Sequence, residues 1–514
     1  MELLRILSPF LSQLLLILLP QVSFAEFNTL PLKEATLADL QLGFKQNTLT
    51  SRQLVEFYLG QIQRLNPHLN AVTEVNPDAL YEADKADHER RAKAPVSNSM
   101  LHGIPILLKD NIATKDKLNT TAGSFALLGS IVPRDSGVAT KLRKAGAIIL
   151  GKASMTEWAA FKSNNAPNGW SARGGQGVNP YNSSVTPCGS SSGSGIAVAA
   201  NMAAVTLGTD TSGSILCPSS FNAAVGIRPT VGLTSRAGVV PISSRQDTIG
   251  PICRTVTDAV HVLDAIAGID HDDIATIETS KYIPKGGYAQ FLKRDGLKGK
   301  RIGIARGFFD FGDALFLLKH LSNISRHILI FRQGGAVLVD HLKITNALEI
   351  FGNSSGERTA LEIEFKIYLN AYLKELVSSP VRSLADVIAF NNKNSKLEKI
   401  KEYGQDILTS SQATKGIGNE WKAAVSNLGR LSKNGFEKLM KKNKLDALVT
   451  AGEIVSSVLA IGGFPGIIVP AGYEDGVPIG ICFGGLRGAE PKLIEIAYAF
   501  EQATKIRNPP PLNF

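Results

Sequence analysis

The sequence of 514 residues is poor in the residue types that bind metals. It has four cysteines and eight histidines, and no Cys-x-x-Cys or His-Glu-x-x-His spacing occurs among them. Because protein zinc sites use such closely spaced ligands, we predict no metal site, and we expect no cofactor. His102, which lies beside Gly103, is interpreted as a structural residue.

The sequence also lacks a recognition surface for nucleic acid. Its formal net charge is +10, but the basic residues are spread along the chain without interleaved aromatic residues or a recognition motif. The run that contains Lys441, Lys442 and Lys444 is interpreted as a solvated helix end. We therefore expect no nucleic-acid partner and attribute the charge to the modest basicity of a soluble secreted protein.

No apolar run reaches the roughly 20 residues that a membrane-spanning helix needs. The N-terminal segment has Arg5, an apolar stretch over 14–19 and the small-x-small pattern Ser23-Phe24-Ala25, which is typical of a cleaved secretory signal. We therefore predict that residues 1–25 are a signal peptide, with an uncleaved anchor or a buried amphipathic helix as alternatives. The mature protein is expected in the secretory pathway, extracellular or vacuolar, without stable membrane insertion.

The chain does contain enough apolar residues for a large core, since 44% of it is hydrophobic and 19% is charged. No linker, low-complexity tract or internal repeat divides it, so residues 26–514 are predicted to form one domain. Helical and strand patterns alternate, which favours an α/β fold with a single large mixed β-sheet covered by helices on both faces. Strands are predicted at 147–150, 205–207, 447–450, 466–469 and 478–483, and helices at 51–65 (capped by Thr50 or Ser51), 140–145, 255–267 and 491–502. The segment 309–440 is more polar and mostly helical in pattern.

Two serine–glycine clusters and one lysine carry the chemical signal. The clusters contain Ser190, within Cys-Gly-Ser-Ser-Ser-Gly-Ser-Gly, and Ser214, within Thr-Asp-Thr-Ser-Gly-Ser, while Lys109 ends the apolar run Ile-Pro-Ile-Leu-Leu-Lys. A serine hydroxyl needs a base to become a strong nucleophile, and a lysine can be that base where burial lowers its pKa. Glycines allow consecutive N–H groups to face an oxyanion. The combination predicts a nucleophilic hydrolase that uses no histidine.

Each of these parts has a simpler interpretation when taken alone. Glycine–serine clusters are more often linkers or phosphate loops, and a lysine at the end of a strand is more often a solvated charge. Neither cluster has the Gly-x4-Gly-Lys-Ser/Thr or Gly-x-Gly-x-x-Gly spacing of a phosphate-binding loop. The three parts together favour catalysis.

The chain resembles the amidase signature family from about residue 36 to 268 and again from 445 to 507. The landmarks are His102-Gly-Ile-Pro, Thr121-Ala-Gly-Ser, Gly208-Thr-Asp-Thr, Gly226-Ile-Arg-Pro-Thr and Asp247-Thr-Ile-Gly-Pro. In its sequence motifs the chain most resembles the amidases of plants and fungi. The resemblance implies the amidase signature fold and the hydrolysis of a small linear carboxamide, and it leaves a homodimer possible.

The resemblance also implies roles for individual residues. Lys109 matches the family's general base, Ser190 matches the bridging serine that follows a cis peptide bond, and Ser214 matches the nucleophile that forms the acyl-enzyme. The predicted oxyanion hole consists of the backbone N–H groups of Thr211, Ser212, Gly213 and Ser214.

Three positions depart from the family pattern. Ser212 and Ser192 stand where glycine is common, and Leu216 stands where many members have arginine. A positive φ at Ser212 would strain the oxyanion loop. Because Leu216 cannot supply a buried cation near Asp210, Asp210 is predicted to have another partner. None of the three positions is a reacting group, so we expect an active enzyme.

The four cysteines, Cys188, Cys217, Cys253 and Cys482, allow three disulfide pairings in a secreted chain. Because Cys188 and Cys217 adjoin the reacting serines in stretches predicted to be buried, we expect free thiols. Four tripeptides fit the N-glycosylation pattern and begin at Asn119, Asn182, Asn323 and Asn353. Asn182 is close to the predicted active-site loop and is expected to be unused.

Two other functions stay open. The chain could be a catalytically silent, amidase-like interaction module, although intact Lys109, Ser190 and Ser214 count against this. It could also be an ammonia donor of the kind that serves tRNA-dependent amidotransferases. The predicted secretory signal disfavours that function, because tRNA-dependent amidation takes place where tRNA is.

Overall fold

The computed structural model describes residues 32–305 and 326–512. The predicted signal segment 1–25 and the glycosylation tripeptide at Asn323 lie outside these residues. Within them, no helix combines the length and the apolar character that crossing a bilayer requires.

Thirteen strands occur in the described residues, numbered here in chain order. They are β1 (Val72–Val75), β2 (Pro105–Lys109), β3 (Ile148–Ala153), β4 (Trp170–Ser171), β5 (Gly175–Gln176), β6 (Val205–Asp210), β7 (Val225–Arg228), β8 (Thr248–Cys253), β9 (Arg301–Ile304), β10 (Val337–Val339), β11 (Ala447–Ala451), β12 (Gly466–Glu474) and β13 (Val477–Gly484). β4 and β5 pair with each other, and the other strands form an 11-stranded sheet in the order β1-β3-β2-β6-β8-β7-β12-β13-β11-β9-β10. The sheet is mixed, because β2 is parallel to β3 and β6, and β9 is parallel to β10 and β11, while the remaining pairs are antiparallel.

The α-helices of the described residues are also numbered in chain order. They are α1 (Leu37–Lys45), α2 (Ser51–Leu69), α3 (Ala79–Arg91), α4 (Gly137–Lys144), α5 (Ser192–Ala199), α6 (Leu216–Phe221), α7 (Val256–Ile266), α8 (Ala275–Thr279), α9 (Ala347–Phe351), α10 (Glu357–Glu375), α11 (Leu384–Lys393), α12 (Ile400–Tyr403), α13 (Asp406–Ala413), α14 (Asn419–Ser432), α15 (Lys438–Lys442), α16 (Ser456–Gly462) and α17 (Glu490–Thr504).

The predicted fold class is confirmed. Strands β2, β3, β6, β8 and β11 are buried at every position. Because successive side chains of a strand point to opposite faces, such strands require a sheet that is covered on both faces. The segment expected to be helical contains α9 to α15 in its described part. The lysine run that ends it is exposed at Lys441, Lys442 and Lys444, as expected of a solvated helix end.

The boundaries of the predicted elements follow from local side chains. Thr50 caps α2, since its hydroxyl accepts a hydrogen bond from the Gln53 N–H at 3.1 Å while the Gln53 side chain accepts one from the Thr50 N–H at 2.9 Å. The helix runs past the predicted residue 65 to Leu69, and it ends at Asn70, whose φ of 50° is left-handed. The other predicted strands and helices are present with bounds that shift by a few residues.

The parallel pair β2 and β6 positions the candidate site. Leu108 of β2 is in register with Leu207 of β6, so the carboxyl ends of the two strands lie at the same edge of the sheet. Lys109 is the last residue of β2, and Asp210 is the last residue of β6. Ser190 and Ser214 lie in the turns that lead into α5 and α6, so all four residues meet at this edge.

Candidate active site

Lys109 is completely buried at the end of β2. Burial lowers the pKa of its amine to about 7, and the carboxylates of Asp210 and Asp247 partly oppose this shift. Desolvation disfavours the charged form of a lysine, so a substantial fraction of Lys109 is neutral near neutral pH. A neutral amine can accept a proton.

Lys109 contacts Ser190 directly. A hydrogen bond of 2.7 Å joins Lys109 Nζ to Ser190 Oγ, and the same amine donates to the Thr209 carbonyl at 3.1 Å. The peptide bond between Gly189 and Ser190 is cis, as the family resemblance implied. Ser190 is 1% exposed, so this contact is shielded from water.

Ser214 lies in the loop between β6 and α6, next to the Ser190 loop. The Ser191 N–H donates to the Ser214 carbonyl at 3.2 Å, which joins the two serine clusters. Ser214 is half-buried, whereas Lys109 and Ser190 are buried. Of these three residues, Ser214 is therefore the one that a substrate can approach.

The loop that carries Ser214 is fixed by Asp210. The Gly213 N–H donates to Asp210 Oδ1 at 2.8 Å, and the Ile215 N–H donates to Oδ2 at 2.7 Å. This corrects one of the four predicted oxyanion donors, because the Gly213 N–H is already directed at a carboxylate. Among the residues that the structure describes, nothing accepts a hydrogen bond from the N–H groups of Thr211, Ser212 or Ser214.

The serine that replaces glycine at position 212 does not strain the loop. The residue with a left-handed backbone is Gly213, whose φ is 97°, and Ser212 is not among the positive-φ residues. A Cβ added to Gly213 would lie 3.0 Å from the Ser456 Cβ. The backbone and the space therefore both require glycine at position 213, and Ser212 is tolerated.

Asp210 does have another partner, and it is Arg228. The guanidinium pairs with Asp210 Oδ1, its Nη1 donates to the Asp210 carbonyl at 3.1 Å, and its Nη2 donates to the Gln246 carbonyl at 2.9 Å. Both side chains of the ion pair are completely buried. Leu216 instead belongs to an apolar cluster with residues such as Leu459 and Phe464.

Asp110, which follows Lys109 in sequence, faces away from the lysine. Its carboxylate accepts hydrogen bonds from the Thr121 hydroxyl and from the Gly123 N–H. Burial raises the pKa of Asp110, and the charges of Arg173 and Lys152 partly oppose this shift. Asp110 is not among the groups that shift the pKa of Lys109. This agrees with the alternation of side chains at a strand.

Asp247 is a site residue whose role the sequence did not indicate. Its Oδ1 accepts a hydrogen bond from the Thr211 hydroxyl at 2.6 Å, and its Oδ2 accepts from the N–H groups of Ile242 and Ser243 at 2.8 and 2.9 Å. Burial lowers the pKa of Lys109, and the Asp247 carboxylate is one of the two charges that partly oppose this shift. Asp247 lies in the family-like run 247–251, but that run does not show which groups its side chain faces.

The expectation of free thiols is wrong for two of the four cysteines. Cys188 and Cys217 form a disulfide with their Cα atoms 5.8 Å apart, while Cys253 and Cys482 are free and buried. The two paired residues adjoin Ser190 and Ser214, and these serines are neighbours in the fold. That proximity brings the two cysteines into bonding range.

No group of His, Cys, Asp and Glu side chains within the described residues could hold a metal ion. His102 is completely buried, and its Nε2 lies 3.1 Å from Glu89 Oε2. Neither partner of this contact belongs to the group around Lys109, which fits the structural interpretation of His102.

Comparison with known proteins places this chain in a family. The profile of the Amidase family matches residues 53–315. A relative from Arabidopsis thaliana named a probable amidase is 59% identical over 485 residues, which cover 94% of this chain and 92% of the relative. A glutamyl-tRNA(Gln) amidotransferase subunit from Thermoanaerobacter pseudethanolicus is 31% identical, covering 92% of this chain and 97% of that protein.

A solved structure of an amidase is also similar to this chain. The chain is similar to the native peptide amidase of Stenotrophomonas maltophilia, with a TM-score of 0.87 and 42% identity over 94% of this chain and 100% of that one. The family profile, the plant relative and this structure together support an amide-hydrolysing enzyme. The chain belongs to the amidase signature family.

Proposed function

We propose that this protein is an amidase that hydrolyses the C–N bond of a carboxamide through an acyl-enzyme on Ser214. Lys109 is the base and Ser190 relays protons between Lys109 and Ser214. The observation that carries the proposal is the buried 2.7 Å hydrogen bond between Lys109 Nζ and Ser190 Oγ, together with the pKa of about 7 at Lys109. A lysine with an ordinary pKa would be protonated and could not accept a proton.

The reaction follows from these positions. Neutral Lys109 accepts the proton of Ser190, Ser190 takes the proton of Ser214, and the Ser214 oxygen attacks the amide carbon. The negative charge on the carbonyl oxygen is stabilised by hydrogen bonds from the N–H groups of Thr211, Ser212 and Ser214. The Gly213 N–H does not donate to this oxyanion. The leaving amine receives a proton back through Ser190, and water then hydrolyses the acyl-enzyme by the same relay.

The proposed substrate is a small linear carboxamide. The likeness to a peptide amidase adds amides of peptides to the candidates. A screen that measures ammonia release from acyl amides of graded chain length, alongside peptide amides, separates these two classes. Hydrolysis of simple acyl amides alone would favour the first class, and hydrolysis confined to peptide amides would favour the second.

The alternatives make different predictions for the same protein. A silent interaction module would give no covalent product with a fluorophosphonate, a reagent that phosphonylates activated serines. An ammonia donor would co-purify with partner proteins, an alternative that the 31% identity to an amidotransferase subunit supports. We expect a fluorophosphonate adduct on the peptide that contains Ser214, located by mass spectrometry, in protein purified alone. Absence of that adduct in folded protein would contradict the proposal.

We also propose that residues 1–25 direct the protein into the secretory pathway and are then removed. The Cys188–Cys217 disulfide supports this location, because disulfides persist in oxidising compartments and are rare in the cytosol. Neither the signal segment nor its cleavage site lies within the described residues.

Two of the glycosylation tripeptides have asparagine side chains that the structure describes. Asn119 Nδ2 donates to Glu74 Oε1 at 3.0 Å, and Thr121, the hydroxyl residue of the same tripeptide, is completely buried. Asn182 is half-buried beside exposed Ser183 and Ser184. Because glycans require an accessible surface loop, we propose Asn182 rather than Asn119 as the modified residue, which reverses the expectation from the sequence that Asn182 is unused.

A further inference from the structure

The Cys188–Cys217 disulfide joins the two loops that carry the proposed catalytic serines. The bonded residues are 29 positions apart in sequence. Cys188 lies two residues before Ser190, and Cys217 lies three residues after Ser214. A single covalent bond therefore fixes the segment that carries the proton relay to the segment that carries the nucleophile.

The other links between these two loops are hydrogen bonds. The Ser191 N–H donates to the Ser214 carbonyl at 3.2 Å. Asn222 Nδ2 donates to the carbonyls of Pro187 at 2.9 Å and Pro218 at 2.7 Å. Individual hydrogen bonds contribute modestly to the net stability of a contact. The disulfide is thus the strongest connection between the two loops.

The backbone at Cys188 shows why such a connection matters. Cys188 has a φ of 53°, in the left-handed region, which costs energy for a residue with a side chain. Its N–H donates to Thr186 Oγ1 at 3.0 Å, and its carbonyl accepts from Ser192 Oγ at 2.6 Å. If the disulfide were absent, these local bonds would hold the conformation alone, and Ser190 would be less firmly aligned with Ser214.

We propose that the Cys188–Cys217 disulfide is a positioning element of the active site, which aligns Ser190 with Ser214, and that its reduction slows acylation of the enzyme while leaving the fold intact. This inference rests on the proposed roles of the two serines. Reduction by dithiothreitol converts the disulfide into two cysteine thiols, and the reagent is itself oxidised to its cyclic disulfide.

The experiment uses the full chain with Cys253→Ala and Cys482→Ala, so that every free thiol comes from the disulfide. This variant is also the matched control, since both replaced cysteines are buried, unpaired and outside the proposed machinery. After treatment with dithiothreitol, alkylation and mass spectrometry should count two thiols. We expect kcat and the rate of fluorophosphonate labelling to fall about tenfold or more, with KM changed less than about twofold. Reoxidation with oxidised glutathione should restore both rates.

A double-mutant cycle separates alignment from general stability. Cys188→Ala/Cys217→Ala is combined with Ser190→Ala, and the labelling rate of Ser214 is measured in all four proteins. If the disulfide acts through Ser190, its removal should slow labelling strongly when Ser190 is present and by less than about twofold when Ser190 is absent. Equal losses in the two backgrounds would overturn the proposal.

Two further outcomes have defined meanings. Full activity of the reduced enzyme, with two thiols counted, would overturn the inference. Loss of the near-ultraviolet circular dichroism of the folded protein on breaking the bond, by reduction or by mutation, would overturn it as well, because the bond would then hold the fold rather than the site. If the oxidised protein neither hydrolyses amides nor reacts with the fluorophosphonate, it is the proposed function that fails.

Discussion

Asp210 and Arg228 form a completely buried ion pair directly behind the loop that carries Ser214. The Asp210 carboxylate accepts hydrogen bonds from the N–H groups of Gly213 and Ile215 on one side and from the Arg228 guanidinium on the other. The residues on both sides of Ser214 are therefore bonded to one carboxylate, and the charge of that carboxylate is compensated by one arginine.

Arg228→Met should strongly destabilise the protein. Removing one partner of a buried ion pair leaves an uncompensated charge, which typically costs about 3–5 kcal/mol of the free energy of unfolding. Urea unfolding measures this loss. The matched control is Arg430→Met, because Arg430 pairs with Glu349 at the surface with 50% of its side chain exposed, and its removal should cost no more than about 1 kcal/mol. Similar losses in the two variants would contradict the burial argument.

The activity should depend on the protonation of Lys109. Below the pKa of about 7 the amine is charged and cannot accept a proton, so kcat/KM should rise about tenfold per pH unit and level off above neutrality. In Lys109→Ala the rate should be far lower and this rising limb should be absent. A limb that survives in the variant would show that another group titrates, and Lys109 would then not be the base.

Lys109 should also lower the stability of the folded protein near neutral pH. Its folded pKa of about 7 lies below the ordinary value of 10.5, so the unfolded chain binds the proton more tightly. The contribution of Lys109 to stability is therefore complete above pH 10.5 and is lost as the pH falls towards 7. We expect Lys109→Met to raise the free energy of unfolding by about 2–4 kcal/mol at about pH 7, with a smaller gain at about pH 10.

Urea unfolding at the two pH values tests this expectation. Lys117→Met is the control, since the Lys117 side chain is 66% exposed, and it should show no comparable difference between the neutral and the alkaline pH. A gain for Lys109→Met of the same size at both pH values would mean that packing of the methionine, and not desolvation of the amine, is responsible.

Ser214→Ala should abolish amide hydrolysis and fluorophosphonate labelling together. The change removes one hydroxyl from a half-buried position, so the free energy of unfolding should stay within about 1 kcal/mol of the wild-type value. Ser426→Ala, at an exposed serine of α14, should retain both activities. If labelling persists in Ser214→Ala, the nucleophile is a different residue.

If residues 1–25 are cleaved, the mature chain should begin at Glu26 or within a residue or two of it. Mass spectrometry of the N-terminal peptide from protein isolated from a secreting host measures this directly. Recovery of peptides that contain Met1 or the segment 14–19 in the secreted protein would contradict signal cleavage and would favour the anchor.

The main elements could be predicted from patterns in the sequence, whereas the contact between Lys109 and Ser190 was implied by the resemblance to the amidase signature family. Buried strands such as β6 and β13 appear as short apolar runs, and helix α2 begins at a threonine cap, so both can be identified from neighbouring residues. Lys109 could be placed at a strand end for the same reason. Helix and strand patterns depend on residues that are close in sequence, so they can be identified without knowledge of the fold.

Other features depend on contacts between distant residues, and these were not predictable. The partner of Asp210 lies 18 positions away on β7, and nothing near Arg228 in sequence indicates that its side chain reaches the nucleophile loop. The Cys188–Cys217 disulfide does not follow from burial, because buried cysteines can be free or paired. The signal that could have indicated it is the proximity of Ser190 and Ser214 that the resemblance implies, since each cysteine adjoins one of these serines. The Gly213 N–H was counted as an oxyanion donor because a run of amides does not reveal which of them a carboxylate already binds.

The burial of Lys109 and Ser190 behind a half-buried Ser214 has a consequence for chemical labelling of this enzyme. Reagents that acylate amines react with solvent-exposed, unprotonated lysines, and Lys109 is not exposed at all, so broad lysine modification should spare catalysis. Electrophiles selective for hydroxyl groups would meet Ser214 first. An inhibitor could therefore be designed around one reactive oxygen, and its selectivity would be determined by the groups that surround that oxygen at the surface.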